Sequence, residues 1–411
     1  MKSARPVHAP MAQFPIVNDC LQVGGVALTE LTQRIGRTPF YAYDRRLITE
    51  RVQLLRKHLP AQMHLHYAIK ANPMPEVVRY LAGMVDGLDV ASAGELEVAL
   101  AAGMSPAAIS FAGPGKSDAE LERAVAAGIV VNLESEREME RLAAIGAKRG
   151  ARPRVAVRVN PDFELKSSGM KMGGGPKPFG VDAERVPAML ERIGKLRLDF
   201  QGFHIFSGAQ NLRSDAIAEA QQKSIELASR LAEHAPTAVR LLNIGGGFGI
   251  PYFPGDEPLD VAIVGSNLAK ALDGLGARLQ QAQIVVELGR FLVGEAGIYV
   301  CRVVDRKVSR GHVFLVTDGG LHHHLAASGN FGQFVRKNYP VVVGNRVRGD
   351  ERESVSVVGP LCTPLDLLAE NMEMAKADVG DLIVVFQSGA YGLSASPTAF
   401  LSHPKPAEVL V

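Results

Sequence analysis

Between residues 60 and 290 the chain repeats one pattern: a short apolar run rich in β-branched residues, then a longer segment with helical spacing. The runs are 64–69, 87–91, 108–112, 129–133, 154–159, 198–205, 239–244 and 284–287. The helical patterns between them are 75–84, 94–102, 118–127, 135–148, 183–193, 214–233 and 264–281. Ser117 and Ser135 stand where helices should start, each with acid in the next turn. Gly103, Gly128 and Gly150 stand where helices should end. A strand followed by a helix and another strand implies parallel pairing, because parallel strands need a long crossover. Eight such units close into a (β/α)8 TIM barrel of α/β class. The competing architecture is a doubly wound open sheet. It would carry a glycine-rich dinucleotide turn after its first strand, and Lys70-Ala71-Asn72-Pro73 is not one.

After residue 290 the helices disappear from the pattern. The runs 291–306, 311–317, 339–347, 353–358 and 381–387 read as strands of a separate β domain. Pro39-Phe40-Tyr41-Ala42-Tyr43 is also strand-like and joins it. The expected division is therefore a barrel over 45–290 and a β domain made of 1–44 and 291–411. Lys plus Arg number 45 against 43 Asp plus Glu, a net charge of +2, so no global field points to nucleic acid or a membrane surface. No run approaches a membrane span, and residues 1–12 lack a signal-peptide core. Cys20, Cys301 and Cys362 are far apart and odd in number, which fits free thiols in a reducing, cytoplasmic setting.

Barrel active sites lie at the C-terminal ends of the strands. Strand one runs His64-Leu65-His66-Tyr67-Ala68-Ile69 and ends at Lys70. An ammonium at the end of a buried strand reaches a carboxylate, meets solvent, or is used chemically as a Schiff-base amine. Strand two ends near Asp89 and Ser92, strand five carries Arg158 and Asn160, and strand six ends in His204 before Ser207, Gly208 and Gln210. Strand seven runs into Gly245-Gly246-Gly247, and strand eight ends in Glu287, Gly289 and Arg290. Each alone has a plain reading: a packed histidine, an arginine's partner, a tight turn. Gly173-Gly174-Gly175-Pro176-Lys177 lacks P-loop spacing and reads as a mobile loop. Together, a lysine, an imidazole ring, a phosphate cradle and an acid on one rim suit pyridoxal phosphate.

Six ordered motifs make the chain recognisable: Tyr67-Ala68-Ile69-Lys70-Ala71-Asn72, His204-Ile205-Phe206-Ser207-Gly208, Gly245-Gly246-Gly247-Phe248, Glu287-Leu288-Gly289-Arg290, Gly359-Pro360-Leu361-Cys362 and Gly389-Ala390-Tyr391-Gly392. The chain resembles the pyridoxal-phosphate-dependent decarboxylases that act on diaminopimelate, ornithine and arginine, built on the alanine-racemase-type barrel (fold type III). The resemblance implies a Schiff base at Lys70 and His204 stacked on the cofactor ring. It implies Glu287 at the pyridine nitrogen, with Asp89 and Arg158 beneath or beside the ring. Ser207, Gly245, Gly246, Gly247, Gly289, Arg290 and Tyr391 then complete the cofactor shell, mostly around the phosphate. Cys362 resembles the family's interface cysteine, which crosses a homodimer to protonate the carbanion after carbon dioxide leaves. Glu287 speaks against a racemase, where arginine is expected at the ring nitrogen.

The departures concern substrate. In decarboxylases of free diamino acids the residue after the interface cysteine is acidic and binds the distal amine; here it is Thr363. The arginine-proline pair expected after Asp318-Gly319-Gly320 is replaced by Leu321-His322-His323-His324. The three histidines could suggest a metal, but neighbours on one strand would point to opposite faces, so none is expected. Thr363 and His323 are the substrate-contact candidates. This stretch looks like the subgroup from secondary-metabolite, siderophore and exopolysaccharide clusters, some of whose members act on amino acids tethered to an acyl carrier protein or built into conjugates. Lys166, Lys171 and Lys177 could greet an acidic carrier, or simply be solvated. The alternatives are a diaminopimelate decarboxylase with different substrate contacts and a non-catalytic regulator. The latter usually lacks the lysine or the cysteine, and both are present here.

Overall fold

The structure, a computed structural model, describes residues 7–164, 170–333 and 335–411. The chain forms two compact units, one of Met1–Glu50, Ile250–Pro258 and Arg290–Val411, the other of Arg51–Gly249 and Leu259–Gly289. Residues 250–258 group with the first unit, although the sequence reading puts them in the barrel span.

The larger unit contains strands β1 (Met63–Ala68), β2 (Gly87–Val90), β3 (Ile109–Phe111), β4 (Val130–Leu133), β5 (Arg154–Asn160), β6 (Asp199–Ile205), β7 (Leu241–Gly246) and β8 (Gln283–Leu288). Each pairs in parallel with the next, and β8 pairs in parallel with β1, so the sheet closes into a (β/α)8 barrel. The strands are almost wholly buried. That is why they read as continuous apolar runs rather than alternating ones. Crossover helices begin where the caps predict. Ser117 Oγ accepts from Glu120 N, and Glu120 returns a bond to Ser117 N at 2.9 Å. Ser135 Oγ accepts from Glu138 N at 3.1 Å. Gly128 and Gly150 close two helices in the left-handed region. The expected 264–281 helix instead runs Val261–Asp273, because Asp260 caps it by accepting from Ala262 N and Ile263 N.

The smaller unit is built on a mixed sheet in the order Val341–Val343, Leu382–Val385, Gly297–Ser309, His312–Thr317, Arg352–Val358, Leu367–Ala375. Phe40–Tyr43 pairs with Gly297–Ser309 on one side and in parallel with Ala407–Leu410 on the other. The expected strand 291–306 begins only at Gly297, since Arg290–Val293 and Gly294–Ala296 are short helical turns. The expected strand 339–347 shrinks to Val341–Val343. Leu367–Ala375 is a strand the sequence conceals, because apart from Asn371 it is made of Leu, Ala, Glu and Met, which favour helices. His322 and His323 lie in a turn and His324 directly after it, none of them on a strand, so the opposite-faces argument does not apply to them.

Candidate active site

Lys70 sits in a 3-10 turn, Ile69–Ala71, two residues beyond Ala68, the last residue of β1. Its side chain is 48% exposed in this chain, and Nζ lies 3.9 Å from Glu287 Oε1. Of the options the sequence leaves open, the reach to a carboxylate at an exposed strand end describes it. Glu287 is buried near the end of β8, beside His66 of β1 in the register. Its other oxygen is 3.1 Å from His204 Nε2 and accepts from Asn243 Nδ2 at 3.3 Å. Arg158, His204 and Asn243 occupy one register row across β5, β6 and β7. Burial pushes the Glu287 carboxyl up. The His204 contact and the charges of Lys70 and Arg158 more than reverse this, holding it well below the usual carboxylate range. Glu287 is therefore an anion at neutral pH.

Asp89 is also buried, with Oδ1 accepting from Ser110 Oγ at 2.6 Å and lying 3.2 Å from His66 Nδ1. Among the described residues its Oδ2 has no hydrogen-bond partner, and His204 meets Glu287 only as a 3.1 Å charge contact from Nε2. Arg158 donates to Glu134 Oε1 at 2.7 Å and lies over the Phe179 ring at 5.1 Å. The loop expected to be mobile is pinned. Asn160 accepts from Gly174 N at 3.0 Å and donates to Gly175 O at 2.9 Å. A short ladder pairs Lys171 with Gly208, directly after Ser207.

The glycine run at the end of β7 has no room for side chains. A Cβ at Gly246 would sit 2.2 Å from Glu287 O, and one at Gly247 would sit 2.4 Å from Gly208 O. Gly245 and Gly247 have φ of 70° and 73°, in the left-handed region. Gly289 is packed on Ala71, its Cβ position 2.9 Å from the Ala71 methyl.

Arg290, Tyr391, Cys362, Thr363 and His323 belong to the smaller unit. Arg290 donates to Tyr252 Oη at 2.7 Å and lies 4.6 Å from the Tyr391 ring. Cys362 is exposed, and Thr363 Oγ1 accepts from Leu365 N at 3.3 Å. His323, the other substrate-contact candidate, is buried. It is 1% exposed, its Nε2 contacts Pro404 O at 2.9 Å, and its Nδ1 contacts Tyr299 Oη at 3.3 Å. It is a packed histidine with no free edge for a substrate. Lys166 and the side chain of Lys171 lie outside the described residues; Lys177 is half-buried.

Residues 45–294 match the family model described as "Pyridoxal-dependent decarboxylase, pyridoxal binding domain". The chain belongs to this family. It is a pyridoxal-phosphate-dependent amino-acid decarboxylase, a carboxy-lyase. The L-glutamyl-[BtrI acyl-carrier protein] decarboxylase of Niallia circulans is 38% identical over 93% of this chain and 90% of its own length. The 2-[(L-alanin-3-ylcarbamoyl)methyl]-2-hydroxybutanedioate decarboxylase of Staphylococcus aureus is 31% identical over 89% of this chain and 92% of its own. Among solved structures, diaminopimelate decarboxylase from Helicobacter pylori, complexed with L-lysine, superimposes with a TM-score of 0.82 at 28% identity, covering 93% and 94% of the two chains.

The residues of the barrel rim fit the decarboxylase cofactor. The glycine run leaves backbone where a phosphate needs close approach. The Glu287 anion suits a protonated ring nitrogen. Sequence reasoning misses Asn243, Glu134 and Tyr252. The first two are buried polar residues, Asn243 within β7 and Glu134 just past β4, whose partners come from other strands, so no local pattern announces them. No helix among the described residues is long and apolar enough to cross a membrane.

Proposed function

We propose that this decarboxylase acts on an amino acid joined through its distal end to a carrier or a larger conjugate. The observation that carries this is Thr363, a neutral residue directly after Cys362. A hydroxyl cannot pair with a distal ammonium as a carboxylate would, so a free diamino acid loses its anchor. The carrier-protein decarboxylase of Niallia circulans and the conjugate decarboxylase of Staphylococcus aureus support the same direction.

Bound pyridoxal phosphate supplies an aldehyde carbon for amines and a ring that accepts the electron pair left when carbon dioxide departs. Lys70 would provide the amine that holds the cofactor's aldehyde carbon. Glu287 would keep a proton on the ring nitrogen, which makes the ring a stronger acceptor, and His204 would lie against the ring. By the family resemblance Ser207 and the glycine run would hold the phosphate, a role the resemblance also gives Arg290 and Tyr391. The Cys362 thiol returns a proton to the carbon that lost its carboxylate, serving a second copy in a homodimer. Three unpaired cysteines fit residence in a reducing cytoplasm.

The test is carbon dioxide release from purified protein given a glutamyl-loaded acyl carrier, free glutamate, lysine, ornithine and meso-diaminopimelate. Turnover of the loaded carrier well above that of the free amino acids is the expected result. Rapid turnover of free meso-diaminopimelate would return the protein to lysine biosynthesis.

A further inference from the structure

Arg290 has no acidic partner among the described residues; its neighbours are phenols. Tyr252 Oη accepts from Arg290 Nη1 at 2.7 Å. The guanidinium carbon lies 5.3 Å from the Tyr252 ring and 4.6 Å from the Tyr391 ring. Tyr391 itself is held at φ 52°. Tyr252 is 2% exposed and packs on Tyr339 with ring centroids 4.7 Å apart. Its backbone is fixed as well. Asp256 Oδ2 accepts from Tyr252 N and Phe253 N at 3.0 Å each, and Pro251 O accepts from Gln387 Nε2 at 2.8 Å.

A phenol does for an arginine what a carboxylate cannot. It occupies one N–H and fixes the plane of the fork without neutralising the charge. Burial pushes the Tyr252 phenol upward, against the opposing pull of Arg290, so it stays a neutral acceptor. The rest of the guanidinium edge carries no other hydrogen bond among the described residues, and its full charge remains for an anion.

We propose that Tyr252 is a positioning residue that locks Arg290 in the orientation that grips the cofactor's phosphate, and so sets the preference for the phosphorylated cofactor. This rests on the assignment of Arg290 to the phosphate made above. The seat of Tyr252 also gives residues 250–258 a reason to group with the smaller unit, since Arg290 and Tyr391 are there too.

The experiment uses the full chain stripped of cofactor. It is titrated by absorbance with pyridoxal phosphate and with pyridoxal, which lacks the phosphate, for wild type, Tyr252→Phe and Arg290→Gln. Tyr252→Phe keeps the ring and removes only the acceptor. It should weaken pyridoxal phosphate roughly ten-fold and pyridoxal less than about two-fold, with the melting temperature recorded alongside. An equal loss for both ligands, or no loss for either, would overturn the proposal. If Arg290→Gln leaves the preference for the phosphate intact, the phosphate assignment itself fails, and this inference with it.

Discussion

The Glu287 carboxylate lies 3.1 Å from the His204 imidazole, with both side chains at least nine-tenths buried. The His204 contact, together with the charges of Lys70 and Arg158, holds Glu287 ionised against its burial. Glu287→Gln keeps the shape and removes the charge. It should lower kcat by roughly 100-fold while cofactor affinity falls far less. Steady-state kinetics beside a cofactor titration decide this, and an unchanged kcat would take the ring-nitrogen role from Glu287.

Lys70 is the only lysine placed at the end of a barrel strand with its amine near Glu287 among the described residues. Borohydride reduction of the holoenzyme, followed by peptide mass spectrometry, should put the cofactor's mass on Lys70. Lys70→Ala should show no labelled peptide while its circular dichroism stays native. A label on another lysine would sink the assignment.

Glu134 ties three parts of the barrel together. Oε1 accepts from Arg158 Nη1 at 2.7 Å and from Gly113 N at 2.5 Å, and Oε2 accepts from Gly180 N at 3.0 Å. Burial pushes its carboxyl up, but the charge and hydrogen bond of Arg158 bring it below the ordinary value. A depressed carboxyl contributes stability that is present above its unfolded pKa, near 4.3, and lost as pH falls through the lower folded value. Glu134→Gln leaves Arg158 without its anion and turns an N–H toward Gly180 N–H. It should cost about 3 kcal/mol at pH 7. The gap to wild type should narrow as the pH falls below about 4. Denaturant melts across that range test both halves, and a pH-independent gap would contradict the ion pair.

The barrel is legible in the sequence because its strands are buried on both faces and its helices carry local caps such as Ser117 with Glu120. Both are short-range signals. Lys70, His204 and Glu287 are legible as strand-end residues, and the structure adds what spacing cannot: that one carboxylate serves the other two. Leu367–Ala375 is illegible because helix-favouring residues are drawn into a strand by pairing with Arg352–Val358. The seat of Tyr252 is illegible for a different reason. Its partners Arg290, Tyr339 and Tyr391 are distant in sequence, and nothing local marks residues 250–258 as leaving the barrel unit. The burial of His323 is illegible as well, because its partners Tyr299 and Pro404 are distant in sequence.

Asp366 holds the loop that carries Cys362. Its Oδ2 accepts from Leu361 N at 2.8 Å, and its Oδ1 accepts from Leu321 N at 2.6 Å, so one carboxylate staples two turns of the smaller unit. The fit is close on both sides. A Cβ at Gly320 would sit 2.0 Å from Oδ1, and one at Gly359 would sit 2.3 Å from Oδ2. Asp366→Asn must turn an amide N–H toward one of the two backbone donors, which leaves that donor buried and unpaired. The cost should be about 1 to 3 kcal/mol. The loosened turn should change how Cys362 presents its thiol. Iodoacetamide should alkylate Cys362 at a rate several-fold different from wild type, with Cys362→Ala as the blank. If the rate and the melting temperature both stay at wild-type values, Asp366 does not hold the loop. If the melting temperature falls but the rate does not change, its role ends at stability and the cysteine is positioned by other residues.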